Sequence, residues 1–158
     1  MEVIILQGPS GSGKTTYAKR LQESLVARGK SVRIVSIDDY FMDEGGEYRF
    51  DSKRYNAAHN ECFASFMEAI LEDIGTIIVD NTNTTDREIS PYTRAAGAYG
   101  YRFRIVRMLC DVDKAIERAV HGVPELTIRN QFSRLERLKW PFETVDTNKP
   151  LSRGTRRA

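Results

Sequence analysis

Apolar and polar positions alternate between two periodicities along the whole chain. Residues 3–6 are continuously apolar, which is typical of a strand buried on both faces. After a glycine-rich stretch, Tyr17, Leu21 and Leu25 recur every four residues along one face of a predicted helix. Short β-rich runs and helical stretches then follow each other without a repeat or an internal linker. This order predicts an α/β fold whose parallel sheet is covered by helices on both sides.

The remaining elements are placed by apolar runs, caps and turn residues. Gly29 is expected to close the first helix in the left-handed conformation, and Pro91 to kink or restart a later one. Four more strands complete a five-stranded sheet, at residues 32–37, 76–80, 103–109 and 142–145. Four more helices are predicted, at residues 52–73, from a capping box at 85–88, at 111–120 with Asp111 as cap, and at 124–140.

The glycine-rich stretch between the first strand and the first helix reads GPSGSGKT, which matches the pattern G-x-x-x-x-G-K-[ST]. Its glycines allow successive backbone N–H groups to point at phosphate oxygens, and the helix N-terminus adds partial positive charge. Lys14 is the cation expected to reach the β- and γ-phosphates. The predicted ATP-binding residues are Gly8, Ser10, Gly11, Ser12, Gly13, Lys14, Thr15 and Thr16.

Two oxygen ligands for Mg²⁺ are predicted beside this phosphate-binding loop. The Thr15 hydroxyl follows the lysine, and Asp80 stands at the carboxyl end of the third predicted strand. A loop-starting aspartate is the alternative interpretation of Asp80. ATP and Mg²⁺ are therefore the expected cofactors, shared by kinases, GTPase switches and motor ATPases.

A kinase also needs a group that activates the acceptor hydroxyl. Asp38 and Asp39 end the second predicted strand, and Asp38 is the predicted general base. The alternative is a pair of turn-forming aspartates. Charge on the transferred phosphoryl group could be stabilised by side chains flanking a lid turn at residues 122–124, namely Arg118, His121 and Arg129. Lys14, Asp38 and Arg118 are the predicted catalytic residues, although helix arginines are often solvated and His121 could cap the preceding helix.

The composition and the lengths of the apolar runs argue against a membrane-spanning protein. The 158 residues are 41% hydrophobic and 29% charged, and no apolar run approaches the roughly 20 residues that cross a bilayer. With no secretory leader recognisable, a cytoplasmic location is expected. Cys62 and Cys110 are isolated and are expected to be buried reduced thiols without a disulfide partner.

Charge is distributed unevenly along the chain. Four of the 24 basic residues lie in the last ten positions, and the body without them has 20 basic and 22 acidic side chains. We therefore expect one kinase domain at residues 1–148 and a basic, disordered tail at 149–158.

Several segments together resemble the phage-type polynucleotide 5′-kinase family, particularly its branch found in Nedd4-binding protein 2. They read GPSGSGKTT, SIDDYF followed by EYRFD, VDNTNTTDRE followed by SPY, and ERAVHGVPELTI. The resemblance covers residues 3–136. It implies an adenylate-kinase-like three-layer α/β/α fold with a short helical lid, and transfer of the ATP γ-phosphate to the 5′-hydroxyl of a polynucleotide.

By position, Asp38 matches the general base of that family, and Arg118 matches its lid arginine, which contacts ATP phosphates. Thr82 and Asn83 match a TN pair near the acceptor, for which loop turn chemistry is the alternative. Phe41 stands where phage polynucleotide kinases place an arginine that holds the acceptor phosphate. The resemblance therefore implies an acceptor side formed by Asp38, Asp39, Phe41, Thr82 and Asn83.

Two other functions stay open at this point. Phe41 and the acidic residues that follow it favour a small hydroxyl acceptor, such as a nucleoside, nucleotide or sugar. A non-catalytic nucleotide-binding module or NTPase switch would need only the phosphate-binding loop. The expected partners are thus ATP and either a 5′-OH nucleic acid or a small hydroxyl acceptor, with no membrane.

Overall fold

The computed structural model describes residues 1–148, and the predicted disordered tail at 149–158 lies outside the described residues. Five parallel strands form one sheet in the order β2-β3-β1-β4-β5. Their bounds are β1 Glu2–Gln7, β2 Val32–Val35, β3 Thr76–Val79, β4 Arg102–Leu109 and β5 Glu143–Asp146. The predicted α/β class with a parallel five-stranded sheet is confirmed.

Helices pack on both faces of the sheet, and alternate residues of the central strand β1 point to opposite sides. Val3 and Ile5 belong to the core under α2 and α3, whereas Ile4 and Leu6 belong to the core that includes Ala18 of α1. With one core on each face, the sheet is the middle layer of a three-layer α/β/α arrangement. The helices are α1 Lys14–Val26, α2 Tyr55–Leu71, α3 Asp86–Ala98, α4 Val112–Arg118 and α5 Glu125–Arg137. Among the described residues, none of the helices has the length and apolar character needed to span a membrane.

The structure corrects the predicted end of β2. The strand stops at Val35, and a 3-10 helix, Ile37–Phe41, replaces its last predicted residue and continues past it. The Ser36 hydroxyl accepts a hydrogen bond from the Asp38 N–H and caps this helix, while the Ile37 N–H donates to the Asn81 side chain. Local side-chain hydrogen bonds thus outcompete continuation of the strand.

Helix α3 settles one of the two alternatives predicted for Pro91, the restart. Thr85 and Glu88 form the predicted capping box, but the helix continues through Pro91 without a restart. Proline removes one backbone donor from the ladder. The helix is kept whole by its buried face, since Ile89 and Tyr92 on either side of Pro91 are packed in the core.

The segments that follow β4 are shorter than predicted. Helix α4 ends at Arg118, and Asp111 occupies its N-cap position without making a side-chain cap hydrogen bond. Pro124 is the N-cap residue of α5, which ends at Arg137. Residues 119–124 therefore form a loop, here called the α4–α5 loop. The prediction for Cys110 was wrong in one respect: both thiols are free, but only Cys62 is buried.

Gly97 in α3 offers a simple test of the fold. A Cβ added there meets no atom within 4 Å, so alanine replaces a flexible residue without a clash. We expect Gly97→Ala to raise the free energy of unfolding by about 0.5 kcal/mol, because the unfolded chain loses conformational freedom. Urea denaturation followed by circular dichroism measures this change. A Gly97→Ala protein less stable than wild type would mean that the end of α3 is packed differently.

Candidate functional site

A cleft lies at the carboxyl ends of the central strands, where parallel α/β sheets bind ligands. Its cavity has a volume of about 450 Å³. The walls come from the loop after β1, the first turn of α1, the segments after β2 and β3, and the α4–α5 loop. The lining residues are Ser10, Gly11, Gly13, Lys14, Thr15, Thr16, Ile37, Asp38, Asp80, Asn81, Thr82, Arg118, Ala119, Val120, His121 and Val123.

The loop after β1 curls around the N-terminus of α1 as its sequence predicts. Gly11 and Gly13 have φ angles of 77° and 90°, which L side chains rarely adopt. Gly8 and Ser12 do not line the cleft. The Gly8 N–H donates to the Thr82 carbonyl, and Ser12 is fully buried with its N–H donating to the Pro9 carbonyl. Gly8 and Ser12 therefore stabilise the conformation of the loop and do not face the cleft.

Lys14 is buried at the base of the cleft with 8% of its surface exposed. Its Nζ donates a hydrogen bond of 2.8 Å to the Pro9 carbonyl. Burial lowers the pKa of the Lys14 ammonium, an effect opposed by the charges of Asp80 and Asp38. The ammonium is thus poorly solvated, which strengthens its attraction for a phosphate anion that enters the cleft.

Thr15 and Asp80 both line the cleft, and the Thr15 side chain lies close enough to act against the raised pKa of the Asp80 carboxyl. Burial raises the pKa of Asp80, and the charge of Lys14 opposes that shift. Among residues 1–148, no cluster of three or more His, Cys, Asp or Glu side chains could enclose a metal. A hydroxyl and one carboxylate fit Mg²⁺, which keeps several waters and completes its shell with substrate phosphates.

Asp38 reaches the cleft from the 3-10 helix and contacts two residues of other segments. The Tyr48 hydroxyl donates to Asp38 Oδ1 at 3.1 Å, and His121 Nε2 lies 3.9 Å from Asp38 Oδ2. The two rings stack on each other with centroids 3.8 Å apart. Burial, together with the charge of Asp38, raises the pKa of Tyr48, so the phenol stays protonated as a donor.

Tyr48 is a site residue that the sequence prediction missed. It follows the tight turn of a hairpin closed by an antiparallel bridge between Met42 and Tyr48. The only available signal was its place in the EYRFD segment. Its proximity to Asp38 depends on how the hairpin folds back, which no spacing rule encodes.

Arg118 lines the cleft beside the loop after β5. Its Nη1 donates to the Thr147 carbonyl at 2.8 Å, and the Thr147 hydroxyl donates to the Ser12 carbonyl at 2.7 Å. A second unpredicted contact comes from α5, where Gln131 Oε1 accepts a hydrogen bond from the Ser10 N–H. Arg118 is therefore tied to the phosphate-binding loop through Thr147.

The structure does not bring every predicted residue to the cleft. Arg129 is not among the lining residues, because it pairs with Glu125 and Asp113 on the outer side of α5 and α4. Helix α5 begins at Glu125, so Arg129 lies within the helix and not in the α4–α5 loop. A role for Arg129 in a lid stays a prediction.

Three residues predicted on the acceptor side also lie elsewhere. Phe41 is 4% exposed and packs in an aromatic cluster with Tyr48 and Phe50. Asn83 is buried with a φ of 49°, and its side chain donates to the Leu6 carbonyl at 2.7 Å, so it holds the loop after β3. Asp39 lines a separate cavity under β2 and α2, and burial raises the pKa of its carboxyl. Thr82 does line the cleft.

Gly11 provides a test of how the loop depends on α4. A Cβ at this position would lie 1.9 Å from the Ala115 carbonyl oxygen, which is backbone and cannot move cheaply. We expect Gly11→Ala to lower the free energy of unfolding by about 2–4 kcal/mol, from the clash and the left-handed φ together. Thermal denaturation and a fluorescent-nucleotide titration measure the loss, with Gly97→Ala as the matched control. Full nucleotide affinity in Gly11→Ala would contradict this packing.

A family model described as an AAA domain matches residues 3–136. The chain belongs to this AAA-domain family. NEDD4-binding protein 2 of Homo sapiens is 37% identical over 100 residues, which cover 63% of this chain and 5% of that protein. The chain therefore spans a small part of the length of this curated relative. The sequence resemblance to the P-loop kinase family and its NEDD4-binding protein 2 branch is confirmed.

Solved structures show the same fold for this AAA-domain chain. A chain of the Pnkp1/Rnl/Hen1 RNA repair complex superposes with a TM-score of 0.69 and 19% identity, covering 85% of this chain and 44% of that one. The APS kinase CysC of Mycobacterium tuberculosis, solved in complex with AMPPNP and APS, gives a TM-score of 0.66 and 16% identity. That match covers 94% of this chain and 89% of the APS kinase chain. The fold is that of P-loop kinases.

Proposed function

We propose that this protein transfers the γ-phosphate of ATP to a hydroxyl, most specifically to the 5′-hydroxyl of a polynucleotide or oligonucleotide. The observation that carries the proposal is the position of Asp38. Asp38 lines the same cleft as Lys14, Asp80 and Arg118, and its charge acts on both Lys14 and Asp80. A group that only shaped a loop would have no reason to face the phosphate site.

In the proposed reaction, Asp38 accepts the proton of the acceptor hydroxyl as the acceptor oxygen bonds to the γ-phosphorus. The bond between the γ-phosphorus and the bridging oxygen breaks, and ADP leaves. Lys14 and Arg118 neutralise negative charge on the phosphoryl oxygens, which is the main contribution that a protein makes to this reaction. Thr15 and Asp80 would hold Mg²⁺, which supplies charge neutralisation between the phosphates when bound.

Tyr48 and His121 fix the direction of the Asp38 carboxylate in this proposal. Tyr48 occupies one carboxylate oxygen, at 3.1 Å, while His121 approaches the other more loosely, at 3.9 Å. The second oxygen therefore stays accessible to an acceptor hydroxyl. Since Tyr48 belongs to the hairpin and His121 to the α4–α5 loop, their stacking joins the acceptor wall to the segment that follows Arg118.

The 5′-hydroxyl assignment is supported by the NEDD4-binding protein 2 relative and by the segments shared with polynucleotide kinases. One observation favours a small hydroxyl acceptor instead. Phe41 is buried, so no cation stands at the position that would hold an acceptor phosphate. The nearest basic side chain on the hairpin, Arg49, is already paired with Asp43 and Glu47.

One assay separates these acceptors. γ-labelled ATP is offered with 5′-OH DNA, 5′-OH RNA, nucleosides and sugars, each with Mg²⁺ and with excess EDTA. We expect label on a 5′-OH oligonucleotide, loss of all transfer in EDTA and recovery when Mg²⁺ is restored. Saturable transfer to one small metabolite, with none to oligonucleotides, would select the small-acceptor kinase. Nucleotide binding without any transfer would indicate a non-catalytic module.

A further inference from the structure

The protein has a second cavity apart from the nucleotide cleft. A cavity of about 520 Å³ opens between α2 and the start of α3, compared with about 450 Å³ for the cleft. Four aromatic rings line it, and amide, hydroxyl and guanidinium groups surround them. The residues used below are Tyr55, His59, Asn60, Phe63, Arg87 and Tyr92.

The aromatic rings of this α2–α3 cavity contact one another in pairs. Tyr55 and His59 meet edge to face with centroids 4.5 Å apart, and Phe63 meets Tyr92 in the same way at 5.6 Å. Asn60 is exposed, so its amide is free of the core. Flat apolar walls with amide groups beside them suit a planar, hydrogen-bonding ligand, and unpaired nucleobases are bound in this way.

His59 adds an unsatisfied polar group. Its Nε2 is buried and has no hydrogen-bond partner among the described residues. Burial lowers the pKa of His59, which keeps the imidazole neutral, with one donor and one acceptor nitrogen. The His59 side chain itself lines the cavity, so this nitrogen belongs to a ring of the cavity wall. A ligand with hydrogen-bonding edges would relieve the unsatisfied group.

The α2–α3 cavity is joined to the catalytic cleft through Asn81. This residue lines the cleft, and its side-chain amide donates to the Tyr92 hydroxyl at 3.4 Å, while Tyr92 lines the second cavity. The same loop after β3 supplies Thr82 to the cleft and Thr85 to the α2–α3 cavity. The two cavities therefore lie on either side of the loop after β3 and share Asn81 and Tyr92 as a buried wall.

Charge around the cavity is compatible with a nucleic acid strand. Glu88 is the acidic residue in its lining, and its carboxylate accepts from the Thr84 and Thr85 N–H groups and from the Tyr55 hydroxyl. Arg87 is exposed at the same wall and faces solvent. The fixed negative charge is thus already hydrogen-bonded, whereas the positive charge stands where a backbone phosphate would pass.

We propose that the α2–α3 cavity binds an unpaired nucleobase of the acceptor strand, downstream of the nucleotide whose 5′-hydroxyl reaches Asp38. This inference rests on the proposed function and extends it. It explains how an acceptor strand could be held without a cation at Phe41, since affinity would come from base contacts beyond the reacting nucleotide.

The test uses the full chain and 5′-OH acceptors of increasing length, from a nucleoside 3′-phosphate to a hexanucleotide. We expect wild-type kcat/KM to rise with length. His59→Leu should lower kcat/KM for the hexanucleotide roughly ten-fold, the value of one lost base contact, with kcat and the nucleoside 3′-phosphate reaction unchanged. Because His59→Leu changes a half-buried ring, its thermal denaturation is measured in parallel. Asn60→Ala, at an exposed position, is a second variant, and its loss of kcat/KM should depend on acceptor length in the same way.

Asn130→Ala is the matched control, since Asn130 is exposed on α5 and lines neither cavity. Equal loss for all acceptors in His59→Leu and Asn60→Ala, or no loss in either, would overturn the proposal.

If wild type phosphorylates no oligonucleotide, the proposed function fails. Fluorescence anisotropy with a labelled 5′-OH hexanucleotide then tests whether the α2–α3 cavity binds the strand. Binding weakened by His59→Leu supports it, and binding indifferent to His59 overturns it. Competition by a free nucleoside as strong as by the hexanucleotide would assign the cavity to a small ligand and overturn the acceptor-strand role.

Discussion

Replacing Asp38 by asparagine should lower kcat by roughly 10²–10⁴-fold while leaving ATP affinity close to wild type. Asparagine keeps the size and the hydrogen bond from Tyr48 but cannot accept the acceptor proton. Asp38 comes from the 3-10 helix after β2 and is not part of the loop that binds phosphates, so the backbone donors of that loop are unchanged. Initial rates with saturating ATP and acceptor, together with a fluorescent-nucleotide titration, measure the two effects separately.

Asp113→Asn is the matched control for this experiment. Asp113 lies on α4 with 94% of its side chain exposed, and it is not among the residues of the cleft. It should keep wild-type turnover. Unchanged turnover in Asp38→Asn would remove Asp38 as the base.

The second large effect is expected at Lys14. Lys14→Met should reduce turnover by on the order of 10²–10³-fold, because a positioned cation for the transferred phosphate is lost. The same change should leave the melting temperature unchanged or raise it. The buried ammonium has one hydrogen bond, to the Pro9 carbonyl, and its desolvation costs free energy that methionine does not incur.

The paired measurement distinguishes a functional lysine from a structural one. Lys19→Met changes the same residue type on the same helix at an exposed position and should alter neither quantity. A Lys14→Met protein that melts far below wild type would show that the lysine holds the loop together. In that case the loss of turnover would say nothing about phosphate binding.

Local chemistry made much of this site predictable. The pattern from Gly8 to Thr15 specifies a loop, a helix start and a phosphate cradle within eight consecutive residues, so it needs no tertiary information. Asp38 and Asp80 were predictable for a related reason. Each follows an apolar strand, and parallel strands bring their carboxyl ends to one edge of the sheet.

The sequence predicted less well where the side chains of residues beyond the strand ends would point. Arg129 and Phe41 were expected in the cleft, yet one pairs on the outer surface of α5 and the other fills an aromatic cluster. Asn83 belongs to the matching TN pair, but its amide is used to hold β1. A motif fixes the position of a residue in the chain, whereas its direction depends on neighbours far away in sequence.

The sequence by itself thus determined the order of strands and helices, the phosphate-binding loop and the two aspartates at the sheet edge. These follow from periodicity and from contacts among neighbouring residues. Only the tertiary structure decided that Tyr48 and His121 meet over Asp38, and that aromatic rings of α2 and α3 enclose a second cavity. Both arrangements join different segments of the chain, and their geometry arises from how the hairpin, the helices and the α4–α5 loop pack together.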